Sequence, residues 1–478
     1  MKYKHVLFLY PYGILKTTTA SVNRLFPPAG LEYIATSAKG YAEKITLLDL
    51  RYEEEFSDTD KLIAFIRKEV DIVCVSIGWD REFEEVCALI NKMPEGIPVV
   101  AGGYKATEQV EELFCLCPKL DMIARGEGEE TIRQILSGLP KKDILGISYR
   151  QDGKIYHNQI RALPRIDIVE APDRSLRRTD YSLSFYGRRI TNLTFDTVLS
   201  ARGCPYNCKF CTFNLNPLGQ KRPYAERSIA SVIEEIEQIS ADVILFSDDN
   251  FATNAKRAIA ICDEIIRRKI RKRFLAQVRI EITKHPELIA RMVKAGFKLL
   301  SFGIESPHDH ILAQLGKGFT RAEIYKAFDV LRKFPILYHG YFIYGNIGET
   351  EEEMLYISEF ARGLGVDTIA CNKLRADKFS PLRKIIEGLP QYHLNAKGEV
   401  YSDTYSHSAL KKINKKIKFG FYTPFKIISI AKKFTKIRFF SLRDWLSLIT
   451  VAPFLLKHII SREKTKSALR RGLKENYA

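Results

Sequence analysis

No run of the chain reaches the roughly 18 to 20 uninterrupted apolar residues that span a bilayer; the best, from Trp445 to Leu456, is shorter and contains Pro453. A membrane-crossing helix is therefore not expected. The amino terminus, MKYKHVLFLYPYG, lacks the long apolar region and small-residue cleavage site of a signal peptide. Its apolar stretch has the length of a strand, and the chain reads as cytoplasmic. No GxGxxG follows that first strand, which removes the usual dinucleotide fingerprint, and no short-period repeat occurs, which removes solenoids. Cysteine is too sparse for a disulfide scaffold, nine in 478 residues, so any cysteines that cluster point to metal binding or catalysis. Acidic residues are depleted in one region: residues 411–478 hold 18 Lys and Arg against only Asp444, Glu463 and Glu475, which accounts for most of the formal charge of +18.

What is present suits large buried cores. Hydrophobic residues make up 46% and charged residues 28% of a chain long enough for two or three domains. Residues 1–140 alternate β-branched runs (HVLFLY, ITLLDL, IVCVSI, PVVAGG, MIAR) with amphipathic stretches, the pattern of a doubly wound, Rossmann-like α/β sheet. Ligands of such sheets sit at the carboxyl ends of the strands, here Tyr10, Ser76, Gly78, Trp79, Gly102, Gly103 and the loop Gly126-Glu127-Gly128; the glycines serve equally well as plain turn residues. Residues 141–190 contain a short hairpin around Asp152-Gly153 and a Pro/Arg/Asp-rich passage, and read as linker. From 191 to 375, six strand-helix units (DTVLSA, VILFSDD, FLAQVR, LLSFGIES, YHGYFIYG, DTIACN) suit an incomplete parallel (β/α)6 barrel, followed by a basic helical region over 376–478.

The sharpest motif is RGCPYNCKFCTF, which spaces Cys204, Cys208 and Cys211 as CxxxCxxC directly after a strand. Three thiolates on one loop can hold three irons of a four-iron four-sulfur cluster, the fourth iron needing a ligand from elsewhere. A structural zinc site would want a fourth nearby Cys or His, and the loop supplies none. Cys74, Cys87, Cys115, Cys117, Cys262 and Cys371 form no second triplet and read as buried small hydrophobes.

This loop, with Phe210 before its last cysteine and a partial barrel behind it, resembles the radical S-adenosylmethionine enzymes. The resemblance implies that the open iron chelates S-adenosylmethionine and that the cluster reduces it to a 5′-deoxyadenosyl radical. It also implies cofactor contacts from Asp248 in Ser247-Asp248-Asp249-Asn250-Phe251, from Gln277 and Arg279, from Glu305 and Ser306, and from Gly345 in the turn Tyr344–Thr350, where Asn346 and Ile347 depart from the usual residues.

Residues 1–140 resemble the cobalamin-binding domain that precedes the barrel in one subgroup, on the segments PPAGLEYIAT, AGGYKAT and ARGEGEET. AGGYKAT departs from the commoner GGPH-type sequence, and no DxHxxG occurs, so cobalt would receive no histidine from this domain. The resemblance implies cobalamin between these strand ends and the barrel mouth, contacted by Ser76, Gly78, Trp79, Gly102, Gly103, Gly126 and Glu127, with Trp79 near the cobalt's lower face; a domain kept as scaffold without corrin is the alternative.

The function so implied is a cobalamin-dependent radical methyltransferase acting on an unactivated carbon of a small-molecule or lipid substrate, with a flavodoxin or ferredoxin as electron donor. The alternatives are radical ring closure of the tetrapyrrole-cyclase type and a non-catalytic membrane- or partner-binding protein that retains the barrel. The basic segment 411–478 carries a stripe of Ile427, Ile430, Phe434 and Ile437, which either caps the barrel or meets an anionic membrane surface peripherally; no RNA-binding motif accompanies the charge, so nucleic acid is not expected.

Overall fold

The computed structural model describes residues 3–13, 25–80, 82–166, 169–185, 188–211, 215–395 and 397–451. Five apolar runs form the parallel strands β1 (Tyr3–Tyr10), β2 (Ala42–Asp49), β3 (Ile72–Ser76), β4 (Val99–Gly102) and β5 (Met122–Ala124), in the order β2-β1-β3-β4-β5. Helices cover both faces, so successive side chains of one strand enter different cores: Leu7 and Leu9 on one side, Val6 and Phe8 on the other. The winding reverses between β1 and β3, and the crevice at such a switch point is where open α/β sheets take ligands.

Residues 141–190, expected as linker, instead supply edge strands to both sheets. The hairpin forms as β6 (Ile147–Gln151) and β7 (Lys154–His157), added antiparallel to β5, with Asp152 and Gly153 at φ 51° and 72° in its turn. Farther along, β8 (Tyr181–Phe185) pairs antiparallel with β9 (Arg188–Val198). Short edge strands bury little, and β7 is largely exposed, so they leave a weak apolar pattern.

A two-residue ribbon, β10 (Ala201–Arg202) with β11 (Ala225–Glu226), brackets the cysteine loop. The second sheet continues with β12 (Val243–Phe246), β13 (Arg273–Val278), β14 (Phe297–Glu305), β15 (Leu337–Tyr344) and β16 (Thr368–Lys373), in the order β16-β15-β14-β13-β12-β9-β8. Its six strands β9 and β12 to β16 are parallel and make the expected partial barrel. A ribbon of β17 (Tyr392–Leu394) and β18 (Val400–Ser402) follows. The intervening helices start where a side chain can cap: Ser228 accepts from Ser231 N before Ile229–Gln238, and Asn254 from Arg257 N before Ala255–Arg267.

Alternation sorts the barrel strands into two faces. Ile244, Phe246, Phe274, Leu300 and Phe302 pack outward under the helices, whereas Val243, Leu275 and Leu337 close the floor of the lumen with Phe195, Ile437 and Phe439. The end of helix Pro424–Lys436 therefore closes the barrel from below, whereas His407–Phe421 packs in the outer helical layer through Leu410, Ile413, Ile417 and Phe421. This corrects the expectation for the stripe Ile427, Ile430, Phe434 and Ile437: Ile437 is buried in the floor and Phe434 packs against it, while Ile427 alone is exposed. Sequence periodicity finds an apolar face but not what it meets. A third helix runs over 442–451, and among the described residues no helix is long and apolar enough to cross a membrane. Of the six cysteines outside the loop, five are buried and Cys115 is exposed.

The two sheets are joined by buried charges. Arg177 bridges Glu32 of the first domain, at 3.1 Å, and Asp196 of β9; Arg174 holds Asp196 at 3.0 Å and Glu235 at 2.8 Å. Burial pushes the Glu32 carboxyl up to about 7 even beside Arg177. Removing one member leaves the others charged in a dry site, so Arg177→Met is expected to cost about 3–5 kcal/mol, read as a lower urea midpoint.

Candidate active site

The cysteine loop leaves β10 through Gly203, at φ 85°, where a Cβ would stand 2.5 Å from the Pro223 carbonyl oxygen. Only glycine fits, and Gly203 N donates to Asp249 at 3.0 Å. Lys209 N donates to the Leu315 carbonyl at 2.9 Å, and the Lys209 carbonyl accepts from Ser380 Oγ at 2.6 Å. The loop is thus pinned on three sides. Gly203→Ala is expected to displace it and lower the iron bound per chain after anaerobic reconstitution, with the fold retained by circular dichroism.

Burial pushes the Cys204 thiol up, and Cys208 is buried with its sulfur 3.6 Å from Nη1 of Arg279. Among the described residues no three His, Cys, Asp or Glu side chains converge on a single metal ion. Cluster thiolates each take a different iron, so the triplet needs no such convergence. The donor set fits a cluster: three sulfur atoms on one rigid loop, with a guanidinium beside one of them.

Around that loop the barrel strand ends assemble some of the expected residues and divert others. Arg279 is a bracket: besides Cys208 it donates to the Lys317 carbonyl at 2.6 Å and to Glu281 at 2.8 Å, and it stacks 3.7 Å from the Tyr206 ring centroid. Glu305 is buried at φ 67°, a left-handed conformation that costs a glutamate energy, and its Oε1 accepts from Lys317 at 3.2 Å. A Cβ on Gly303 would stand 2.5 Å from that oxygen, so the glycine makes room for the Glu305–Lys317 pair. Asp248 is turned to structure instead: Ser200 N, at 2.6 Å, and Ser200 Oγ occupy its two oxygens, and burial pushes its carboxyl up to about 6. Ser306 is buried and accepts from His308 N at the head of the next helix.

At the turn after β15, Gly345 has φ 74°, and Asn346 Oδ1 and Glu349 Oε1 are buried without a hydrogen-bond partner. Beside them Phe210 packs with Ile343 and Ile347. An apolar wall flanked by two orphaned acceptors suits an aminopurine, whose exocyclic amine is a donor. Half-buried Gln277 lies lower in the lumen, on the inner face with Ser301, His339 and Tyr341. His339 Nδ1 is 2.7 Å from Thr368 Oγ1, and burial lowers its pKa to about 4, keeping the ring neutral.

Facing this mouth are the strand ends of the first sheet. At the β1/β3 switch point, Tyr12 OH accepts from Gly78 N and Trp79 N, both at 2.9 Å, and leaves the Trp79 side chain 61% exposed. A Cβ on Gly78 would meet nothing within 4 Å, so an open floor lies above β3. The only histidines before residue 200 are His5 and His157, and neither is at these ends: His5 sits at the start of β1, hydrogen-bonded to Glu69 and Thr46, and His157 is on the edge strand β7. An open, glycine-floored crevice of this kind fits a flat macrocycle. Ser76 and Gly102 close their strands beside it, whereas Gly103 is packed tightly, a Cβ there standing 2.9 Å from the Ile77 carbonyl oxygen. Gly126 donates to Thr107 Oγ1, and Glu127 is a domain clamp, its carboxylate held by Arg202, at 3.0 Å, and Arg222.

Residues outside the sequence reading complete the junction. Lys105, buried, pairs with Asp80 at 2.7 Å and with Glu108, and Arg375 of the barrel reaches the same Asp80 at 3.1 Å. Tyr104 stands beside Asp377 and close enough to Cys211 to feel its charge, with burial the main reason its phenol is raised. The departure of AGGYKAT from the GGPH type was the signal for Lys105. Lys317, between Gly316 and Gly318 at φ 69° and 74°, carried the signal of a lysine fixed in a glycine turn.

The profile of the radical SAM superfamily matches residues 198–361, and that of the B12 binding domain matches residues 15–136. An uncharacterized methyltransferase of Pyrococcus horikoshii is 30% identical over 369 residues, 74% of this chain and 78% of its own. An anaerobic magnesium-protoporphyrin IX monomethyl ester cyclase of Cereibacter sphaeroides is 24% identical over 355 residues, 70% of this chain and 56% of its own. Among solved structures, the radical S-adenosylmethionine methyltransferase TsrM from Kitasatospora setae, with cobalamin and a 4Fe-4S cluster bound, superposes with a TM-score of 0.66 at 16% identity, covering 82% of this chain and 81% of its own; this likeness concerns the fold.

Proposed function

Because this chain belongs to the radical SAM superfamily and carries a B12-binding domain ahead of its barrel, we propose that it is a C-methyltransferase that alkylates an unactivated carbon. The observation that carries the reading is the juxtaposition of the cysteine loop with the open crevice above β3, across a junction linked by Asp80–Arg375 and Glu127–Arg202. When bound, the cluster with S-adenosylmethionine supplies a radical for hydrogen abstraction, and the cobalamin supplies a methyl group.

The roles of the chain's own residues follow from their surroundings. Cys204, Cys208 and Cys211 hold three irons, and Arg279 locks the loop and places positive charge beside Cys208. Glu305, with one oxygen on Lys317, has the other available for the amino group of S-adenosylmethionine. Phe210, Ile347 and the orphaned acceptors of Asn346 and Glu349 receive the adenine. Exposed Trp79, at the β3 end, would pack against a corrin bound in this crevice and exclude water from it. Gln277, Ser301, His339 and Tyr341 ring the lumen below and orient a small-molecule or lipid substrate; neutral His339 offers a hydrogen bond without titrating in the physiological range. A flavodoxin or ferredoxin delivers the electron.

Ring closure of the cyclase kind is the competing chemistry, and the two differ in products. Protein reconstituted anaerobically with cluster and cobalamin and given S-adenosylmethionine bearing a deuterated methyl group is expected to form both 5′-deoxyadenosine and S-adenosylhomocysteine, with label appearing on cobalamin. Formation of 5′-deoxyadenosine with no S-adenosylhomocysteine and unlabelled cobalamin would favour the cyclase reading.

A further inference from the structure

Beneath the barrel, far from the mouth, the carboxy-terminal helices carry a feature that the proposed methyl transfer does not use. Helix Pro424–Lys436 and the start of β15 border a cleft of about 340 Å³ lined by Arg332, Tyr338, Ser429, Lys432, Lys433 and Lys436. Lys433 is neutralised by Asp367, and Arg332 lies beside Asp329, but Lys432 and Lys436 pair with no acid among the described residues. The same helix face, at i, i+3, i+7 and i+11, presents Phe425 and Ile428 ahead of these lysines, with Phe425 86% exposed. On the next helix Leu442, Leu446 and Ile449 repeat the pattern at i, i+4 and i+7, all exposed. The turn between the helices is held by Phe434, Phe439, Phe440 and Trp445 in edge and stacked contacts, while the outward rings and aliphatic chains stay exposed among the described residues.

We propose that this face seats the protein on an anionic phospholipid bilayer, with a lipid phosphate held by Lys432 and Lys436 and with Phe425, Ile428, Leu442, Leu446 and Ile449 entering the interfacial layer. Charge selects the occupant. Residues 411–451 hold eleven Lys and Arg against Asp444 alone, and Asp444 is buried on Asn192 N and Ser441. Two such faces repel one another, which disfavours a second copy. Widely exposed apolar chains beside unpaired lysines fit a surface that offers both phosphates and acyl chains. The proposal stands apart from the chemistry in the barrel.

The test is cosedimentation of the full chain with vesicles of phosphatidylcholine alone or mixed with phosphatidylglycerol. Binding is expected to the mixed vesicles only, and to weaken as salt rises, because exposed charges are screened over about 8 Å at physiological ionic strength. Lys432→Gln with Lys436→Gln should lower the partition coefficient about 30-fold, about fivefold for each basic group near the surface. Phe425→Gln, at a widely exposed side chain, should weaken binding at every salt concentration without touching the fold. Equal binding to both vesicle types, binding to neither, unchanged binding by the double variant, or a dimer on size exclusion that Phe425→Gln dissolves would each overturn the proposal. Formation of 5′-deoxyadenosine should be unaltered in all these variants, so failure here is distinguishable from failure of the methyltransferase reading.

Discussion

Alanine at any one of Cys204, Cys208 or Cys211 is expected to abolish both cluster assembly and cleavage of S-adenosylmethionine. The three sulfur atoms sit on one loop whose backbone is fixed at Gly203, Lys209 and the Cys211 N to Cys208 carbonyl turn, at 3.2 Å, so no neighbouring side chain can move in as a substitute. The other cysteines are remote in sequence; five are buried in hydrophobic cores or beneath helices, and Cys115 is exposed on the first domain. Iron and sulfide analysis of the reconstituted variants, with 5′-deoxyadenosine measured by chromatography, checks this. A single variant that retained full iron and sulfide would show that the loop is not the cluster site. Circular dichroism should stay unchanged, because the cysteine side chains contribute little to the surrounding cores.

The second large effect is expected at Arg279. Its guanidinium places a full charge 3.6 Å from the Cys208 sulfur while its other nitrogens hold the Lys317 carbonyl and Glu281. Hydrogen bonds and positive charge at cluster sulfurs raise the reduction potential. Arg279→Gln should therefore shift the cluster to a more negative potential in an EPR-monitored titration. Losing a group that hydrogen-bonds to a metal ligand typically costs about 10–100-fold in metal affinity or activity. Arg279→Lys keeps the charge but not the planar fork that spans three partners and stacks on Tyr206, and should fall between the two. An unchanged potential in Arg279→Gln would mean that the residue serves only to hold the loop.

Much of the site was legible because its chemistry needs particular residue types close together in the chain. The CxxxCxxC loop is local, and so are the glycines that permit positive φ at Gly203 and Gly345. The Asp152-Gly153 hairpin was legible for the same reason. What local pattern could not decide is which way a polar side chain turns. Asp248 and Asp249 are neighbours just past the end of β12, yet Asp248 is locked on Ser200 and Asp249 holds Gly203, because each meets a different part of the chain that follows β9. Glu127 read as a cofactor contact because it follows a glycine at a strand end, and it is a clamp only because Arg202 and Arg222 arrive from the other domain.

The sequence by itself therefore determined the two α/β units and the cysteine loop, since apolar periodicity, glycine conformation and thiolate spacing act over a few residues. Tertiary structure alone decided the rest. It set Lys105, Asp80 and Arg375 into one network across the domain junction and placed Arg279 beside Cys208. It also turned Ile437 into the barrel floor while leaving Phe425 exposed beside Lys432 and Lys436. Burial and ion pairing depend on which elements meet in space, and a charge or an aromatic ring acquires its role only from the partner that packing brings to it.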